Sequence, residues 1–287
     1  MKKQAICIQC HNKPEIINRM IETFPKEQYD FFIHVDKKSV IEPEIKHNEN
    51  VYFVPRVDVK WGCFSQVEAT LSMLRSLNEQ EYCYIHLISG NDYPAISPKS
   101  MFDRLKEDNK EYIGAVELNT EKCTWSCNGA DRYMVWYPQW LIDRPAHKIK
   151  RVVRVAYREF IMRSRLFTRR NLPTGQFFGG SSWFSITGGG IGWIKAYLSN
   201  HKEYENFFKH GVCSDEVFFC TLLRMSPYKD NITGDCKRFM IWEGTTSGGP
   251  LELRPEHVRD LKYTDAFWCR KVTSLETIAA IEKEWKE

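Results

Sequence analysis

Two adjacent carboxylates, Asp215 and Glu216, stand at the start of an apolar stretch. Apolar residues follow at helical spacing, at positions 217, 218, 219, 222 and 223, which predicts that both acids lie in the first turn of a buried helix. The hydroxyl of Ser214 is predicted to cap that helix. Acids in a first turn complement the helix macrodipole, and a carboxylate at the edge of a pocket can act as a general base. The stretch alone leaves both interpretations open.

Further charged residues lie where short apolar runs end. Arg270 and Lys271 follow such a run near the C-terminus, and Asp36 and Asp92 each follow a predicted strand. Turn formation explains a single aspartate, and two neighbouring surface charges at the end of a strand or helix explain the two cations. Two aspartates at equivalent strand ends favour ligand contact instead, because ligands of α/β proteins bind beyond the carboxyl ends of the strands.

The elements that would position these residues alternate in the order β-α-β-β-α-β-α over the first third of the chain. Their strands are almost continuously apolar, which predicts an α/β fold with a mostly parallel central sheet and helices on both faces. Neither G-x-G-x-x-G after the first strand, nor a Walker A sequence, nor G-x-S-x-G is present. A dinucleotide oxidoreductase, a P-loop kinase and a serine hydrolase are therefore disfavoured.

Composition and cysteine usage indicate a cytoplasmic location. No window approaches the roughly 20 apolar residues of a membrane span, and the N-terminus lacks a signal-peptide pattern. The ten cysteines are scattered, and Cys7 and Cys10 form a lone C-x-x-C without a second pair. Free thiols in a reducing compartment are expected rather than disulfides or a zinc site.

The segment from Arg144 to Arg170 is strongly basic, with ten Lys or Arg residues against the single acid Glu159. Because the basicity is local, we expect no general nucleic-acid binding. Within the segment, apolar residues near one helical face predict a basic amphipathic helix; they are Ile149, Val152, Val153, Ala156, Phe160 and Ile161. Two interpretations remain open: an ordinary packed helix with a solvated charged face, or peripheral attachment to an anionic membrane surface.

Six motifs in chain order resemble the core-2/I-branching β-1,6-N-acetylglucosaminyltransferase family, which also contains the protein xylosyltransferases. They are H-V-D-K-K-S (34–39), V-K-W-G-C-F-S (59–65), L-I-S-G-N-D-Y-P (87–94), G-S-S-W (180–183), S-D-E-V-F-F (214–219) and F-W-C-R-K (267–271). The resemblance covers nearly the whole chain. It implies a GT-A-like glycosyltransferase fold in one domain, with a nucleotide-binding half (1–118), a variable insert (119–178) and an acceptor and catalytic half (179–287).

The resemblance also implies the roles of individual residues. Glu216 matches the family's catalytic base. The residues implied on the donor side are Asp36, Trp61, Asp92, Arg270 and Lys271. Those implied on the acceptor side are Glu117 (by approximate spacing), Trp183 and Glu243. No metal and no cofactor are expected, since the family typically acts without a metal and the chain has no Asp-x-Asp.

The function implied is inverting, metal-independent transfer of a sugar from a UDP-sugar to a hydroxyl of a glycan or lipid-linked glycan acceptor. N-acetylglucosamine is the first donor sugar implied, and surface polysaccharide synthesis the expected role. We expect no N-terminal anchor or stalk of the kind that the animal Golgi members carry, and in this respect the chain resembles a bacterial relative facing the cytoplasm. Two alternatives stay open: xylosyltransferase-like donor use, and a non-catalytic module that binds a glycan or UDP-sugar on the same fold.

Overall fold

The computed structural model describes residues 1–142, 148–164, 171–242 and 249–285, without the side chain of Lys148. The strands are β1 (Lys3–Cys10), β2 (Tyr29–Val35), β3 (Val51–Phe53), β4 (Tyr82–Ser89), β5 (Asp92–Pro94), β6 (Glu111–Gly114), β7 (Val116–Glu117), β8 (Phe178–Gly179), β9 (Phe184–Thr187), β10 (Ile232–Gly234), β11 (Arg238–Met240) and β12 (Trp268–Arg270). The helices are α1 (Pro14–Thr23), α2 (Ser65–Ser76), α3 (Pro98–Leu105), α4 (Asp131–Met134), α5 (Gln139–Ile142), α6 (Lys148–Ser164), α7 (Gly188–Asn200), α8 (Lys202–Phe208), α9 (Asp215–Arg224), α10 (Pro255–Val258) and α11 (Leu275–Glu284). All ten cysteines are free thiols, as predicted.

A seven-stranded sheet forms the centre of the protein, in the order β10-β6-β9-β4-β1-β2-β3. Strands β1, β2, β3 and β4 are parallel to one another, and β10 is parallel to β6. Strand β9 is antiparallel to both β4 and β6. The prediction of a mostly parallel sheet is confirmed, and its strands come from residues 3–114 and 184–234.

Helices cover both faces of this sheet, because successive side chains of each strand point to opposite sides. Ala5 and Cys7 of β1 face an apolar cluster that includes α2, α7 and α9. Ile6 and Ile8 face a second cluster, formed with α1, α3 and α11. Burying one aliphatic side chain completely in these clusters stabilises the folded protein by roughly 1.5–3 kcal/mol. The predicted two-sided α/β architecture is therefore confirmed.

Two small sheets extend from the central one. Strand β12 lies between β11 and β5, and its antiparallel register sets Arg270 opposite Asp92. Strands β7 and β8 pair antiparallel, with Val116 opposite Gly179 and Glu117 opposite Phe178. These short strands carry several of the charged residues that the sequence singled out. Within the described ranges, no helix has the length and apolar character needed to cross a membrane.

A contact between Gly114 and Gly180 lets the segment after β8 pack closely against the end of β6. A methyl group on Gly180 would lie 2.5 Å from the Cα atom of Gly114, at the end of β6. The amide of Gly180 also donates to the carbonyl of Glu216, at 2.9 Å. Because only glycine permits this approach, Gly180 fixes the following residues against the first turn of α9.

We expect Gly180→Ala to lower the free energy of unfolding by about 1–3 kcal/mol, because backbone must move to admit the methyl group. Urea denaturation measures the loss. Gly175→Ala is the matched control, because a methyl group there meets no atom within 4 Å. Both variants restrict the unfolded chain equally, so their difference isolates the contact. Equal stabilities for the two variants would contradict the packing argument.

Candidate active site

A cleft of about 560 Å³ lies at the start of α9, within the size range of small-molecule sites, roughly 300–1,000 Å³. Five of the residues predicted from the sequence line it: Glu216, Trp61, Trp183, Arg270 and Lys271. The other lining residues are Gln66, Val116, Trp125, Arg132, Gly180, Ser181, Ser182, Cys213, Asp215, Met240, Trp242, Gly249 and Pro250. Residues far apart in sequence thus meet in one cleft.

The first turn of α9 brings the two carboxylates to the cleft, but Ser214 does not cap it. Its hydroxyl donates to the carbonyl of Phe208 at 2.8 Å and makes no capping hydrogen bond. The prediction of a serine cap is wrong, since Ser214 has helical backbone angles and is fully buried against the end of α8. The amide of Glu216 instead donates to the carbonyl of Cys213 at 3.2 Å.

Asp215 joins three segments of the chain. Its Oδ2 accepts a hydrogen bond from the hydroxyl of Ser182 at 2.5 Å and one from Nε2 of Gln66 in α2 at 3.2 Å. Its Oδ1 is buried without a hydrogen-bond partner among the described residues. Burial raises the pKa of Asp215, and the hydrogen bond from Ser182 opposes that rise. Asp215 therefore positions the cleft walls.

Glu216 is half-buried at the cleft, where it pairs with Arg132 of α4. The guanidinium nitrogen of Arg132 lies 3.2 Å from Oε2 of Glu216. Burial raises the pKa of Glu216 to about 7; Arg132 works against this rise, and the nearby Asp215 and Asp131 add to it. A carboxyl group with this pKa exchanges a proton near neutral pH, which suits a general base.

Sequence reasoning missed Arg132. Its guanidinium also lies 5.5 Å from the centre of the Trp125 ring, so an ion pair and an aromatic contact hold it in place. It falls in a stretch without any of the six motifs, and no spacing links it to Glu216. Only the folded chain brings the two together.

Arg270 is held from two sides. Its Nε lies 3.3 Å from Oδ1 of Asp92, without the alignment of a hydrogen bond. Its guanidinium lies 4.6 Å from the centre of the Trp183 ring. Asp92 is fully buried, and its Oδ2 accepts the amide of Ser89 at 3.0 Å. Asp92 is thus placed behind Arg270 rather than on the cleft surface.

Lys271 borders two clefts and has no carboxylate partner in the described part of the chain. Besides the first cleft, it lines an adjoining space of about 960 Å³ formed by residues 250–257 and the start of α11. Asp92 partly neutralises the positive charge of Arg270. Of the two cations, Lys271 therefore carries the less neutralised charge. A diphosphate is the kind of group that such a cation binds.

The remaining predicted residues lie elsewhere. Asp36 does not line the cleft; it forms an ion pair with Lys38 at 2.9 Å within a turn. On β7 it is Val116 that faces the cleft, and its neighbour Glu117 is not a lining residue. Glu243 lies outside the described residues.

The loop that carries Trp61 is positioned by hydrogen bonds from both sides. Nε2 of His34, in the H-V-D-K-K-S motif, accepts the amide of Val57 at 2.9 Å. The carbonyl of Gly62 accepts the amide of Cys213 at 2.8 Å, which joins the loop to the start of α9. The histidine of that motif therefore positions the loop.

Comparison with known proteins gives matches over most of the chain. The family model described as Core-2/I-Branching enzyme matches residues 7–265. Xylosyltransferase 2 of Mus musculus is 25% identical over 241 residues, covering 79% of this chain and 25% of the mouse protein. Xylosyltransferase 2 of Rattus norvegicus is 24% identical over 241 residues, with the same 79% and 25% coverage. This chain therefore spans about a quarter of the length of these relatives.

A weaker similarity exists to the apo structure of the bifunctional glycosyltransferase WbbM. It has a TM-score of 0.41 and 11% identity, and it covers 94% of this chain and 45% of that one. At this score the similarity carries no argument. The family match includes Glu216 and ends just before Arg270 and Lys271, which the fold brings into the same cleft. Since the match extends from β1 almost to β12, the chain belongs to the Core-2/I-branching enzyme family.

Proposed function

We propose that the protein is an inverting glycosyltransferase that moves a sugar from a UDP-sugar to a hydroxyl of a glycan acceptor without a metal ion. The observation that carries the proposal is the position of Glu216. Its carboxyl, with a pKa of about 7, lines the same cleft as Arg270 and Lys271. A base and a cationic site for a leaving diphosphate are the two groups that this transfer requires.

In the proposed step, the acceptor oxygen forms a bond to the anomeric carbon while the bond from that carbon to the diphosphate oxygen breaks. Glu216 takes the hydroxyl proton, and UDP leaves with the electron pair of the broken bond. Lys271 and Arg270 stabilise the negative charge that develops on the diphosphate. Because attack comes from the face opposite UDP, the anomeric configuration inverts.

The donor sugar is the finer part of the proposal. N-acetylglucosamine comes first from the family resemblance, and xylose follows because the relatives matched are xylosyltransferases. The tryptophans lining the cleft offer flat apolar surfaces to the faces of sugar rings. Release of UDP from UDP-N-acetylglucosamine and UDP-xylose, with glycan acceptors, tests the proposal. Calorimetric UDP binding without turnover of any donor would favour a non-catalytic module instead.

Metal independence, cytoplasmic placement and a role in surface polysaccharide synthesis are part of the same proposal. Among the described residues, no group of three or more His, Cys, Asp or Glu is arranged to hold a metal ion. In this proposal Lys271 and Arg270 of the chain itself stabilise the charge on the diphosphate. An EDTA-treated sample of the protein tests this part directly.

We expect Glu216→Gln to lower kcat by about 10²–10⁴, because the amide cannot accept the hydroxyl proton. Steady-state UDP release measures the loss, and UDP binding measured by calorimetry should stay unchanged. Glu107→Gln, the same substitution at an exposed glutamate, is the matched control. A thermal unfolding transition like that of the wild type checks that Glu216→Gln is folded. Full activity in this variant would remove Glu216 from the role of base.

We expect kcat/KM to rise with pH and to level above about 7, because Glu216 acts only when deprotonated. Removing Arg132 takes away the cation that favours the carboxylate, so Arg132→Met should move the inflection to higher pH. The pH dependence of kcat/KM for both proteins measures the shift. Arg259→Met, at an exposed arginine, should leave the inflection in place. A downward shift for Arg132→Met would contradict the assigned electrostatics.

We expect Lys271→Met to lower kcat by about 10²–10³, because the departing diphosphate loses a fixed positive charge. Lys283→Met, at an exposed lysine, is the control. Wild-type activity should persist in EDTA. Activity that disappears in EDTA and returns only with Mn²⁺ would show that a metal ion, rather than Lys271, neutralises the diphosphate.

A further inference from the structure

Helix α6 exposes an apolar stripe to solvent. Ile149, Val152 and Phe160 are 78%, 67% and 55% exposed, and Val153 and Ala156 beside them are exposed as well. The spacing of these five residues places them on one helical face. Of the apolar residues predicted for this face, only Ile161 is buried.

The opposite side of α6 packs on the protein through more polar contacts. The Tyr157 hydroxyl donates to the carbonyl of Trp136 at 3.0 Å, and Arg158 lies 3.5 Å from Oδ2 of Asp131. Ile161 packs in a small apolar cluster with Leu141 and its neighbours. The helix is therefore oriented with its apolar stripe away from the protein, the reverse of an ordinary surface helix.

The charge of α6 indicates what covers this stripe. Its 17 residues include six Lys or Arg and one acid, Glu159. An anionic membrane surface supplies both an apolar layer for the stripe and negative charge for the cations. A second copy of this chain would bring the same cationic helix against itself, which repels. A nucleic acid would leave the apolar stripe exposed.

We propose that the protein docks through α6 onto an anionic membrane surface, with Ile149, Val152 and Phe160 in the interface. Arg158 of α6 contacts Asp131, which is adjacent in sequence to the cleft residue Arg132. The helix that carries the docking surface therefore packs, through its opposite side, next to the segment that holds the partner of Glu216. Docking stands independently of the transfer reaction and fits a glycan acceptor held at a membrane.

Co-sedimentation of the protein with vesicles tests the proposal. We expect binding to vesicles of phosphatidylcholine with an equal part of phosphatidylglycerol, weakened by added salt, and little binding to phosphatidylcholine alone. Val152→Asp should lower the affinity for the anionic vesicles by about tenfold or more. Val40→Asp, the same substitution at a valine that is 82% exposed elsewhere, should leave it unchanged.

The cationic part of the surface is tested in the same assay. Arg163, whose side chain is 83% exposed, lies one turn beyond Phe160 on the side of the stripe. Arg163→Gln should lower binding to anionic vesicles about fivefold, and Arg259→Gln should not. Equal binding by Val152→Asp and the wild type would overturn the proposal. So would wild-type binding to neither vesicle, or Val152→Asp abolishing only a concentration-dependent dimer in sedimentation velocity. UDP release to a soluble acceptor should be unaffected by Val152→Asp, which separates docking from the transfer reaction.

Discussion

The cleft depends on the hydrogen bonds that the buried carboxylate of Asp215 accepts. A charged or polar group taken out of water is costly unless it is hydrogen-bonded, so Asp215 requires the donors that surround it. Those donors, Gln66 and Ser182, belong to α2 and to the segment after β8. Satisfying one carboxylate therefore fixes three segments relative to one another. The Gly114–Gly180 contact brings the third segment close enough for this to happen.

Two neighbouring acids in one helical turn have different environments and hence different roles. Asp215 is buried and hydrogen-bonded, whereas Glu216 is half-buried, faces the cleft and pairs with one cation. Burial raises the pKa of Glu216 from 4.5 to about 7, so this group lowers the stability of the fold as the pH rises from about 4.5 to about 7, and the loss persists above pH 7. Active sites often contain groups that reduce the stability of the fold. Here the same burial that reduces stability gives Glu216 a pKa near the working pH, where a base is most effective.

Most of the fold and part of the site could be predicted from the sequence, and there are physical reasons why the rest could not. Strand and helix periodicity is local, so the parallel sheet and its two covering layers followed from it. Glu216, Arg270 and Lys271 were found because they stand at element ends within motifs. Arg132 was missed because its pairing with Glu216 depends on tertiary contacts, which no local pattern encodes. The apolar face of α6 was found, but periodicity does not tell whether such a face points inward or outward.

Charges alternate along a path from the surface helix to the proposed base. Arg158 of α6 lies beside Asp131, the next residue along the chain is Arg132, and Arg132 pairs with Glu216. Each cation in this path lowers the free-energy cost of burying the acid beside it. The four charged side chains therefore position one another. Residues 119–178, which carry none of the six motifs, thus supply the cation that lowers the proton affinity of Glu216 against the effect of burial. Changes in this segment would therefore alter the strength of the base without any change in the motifs.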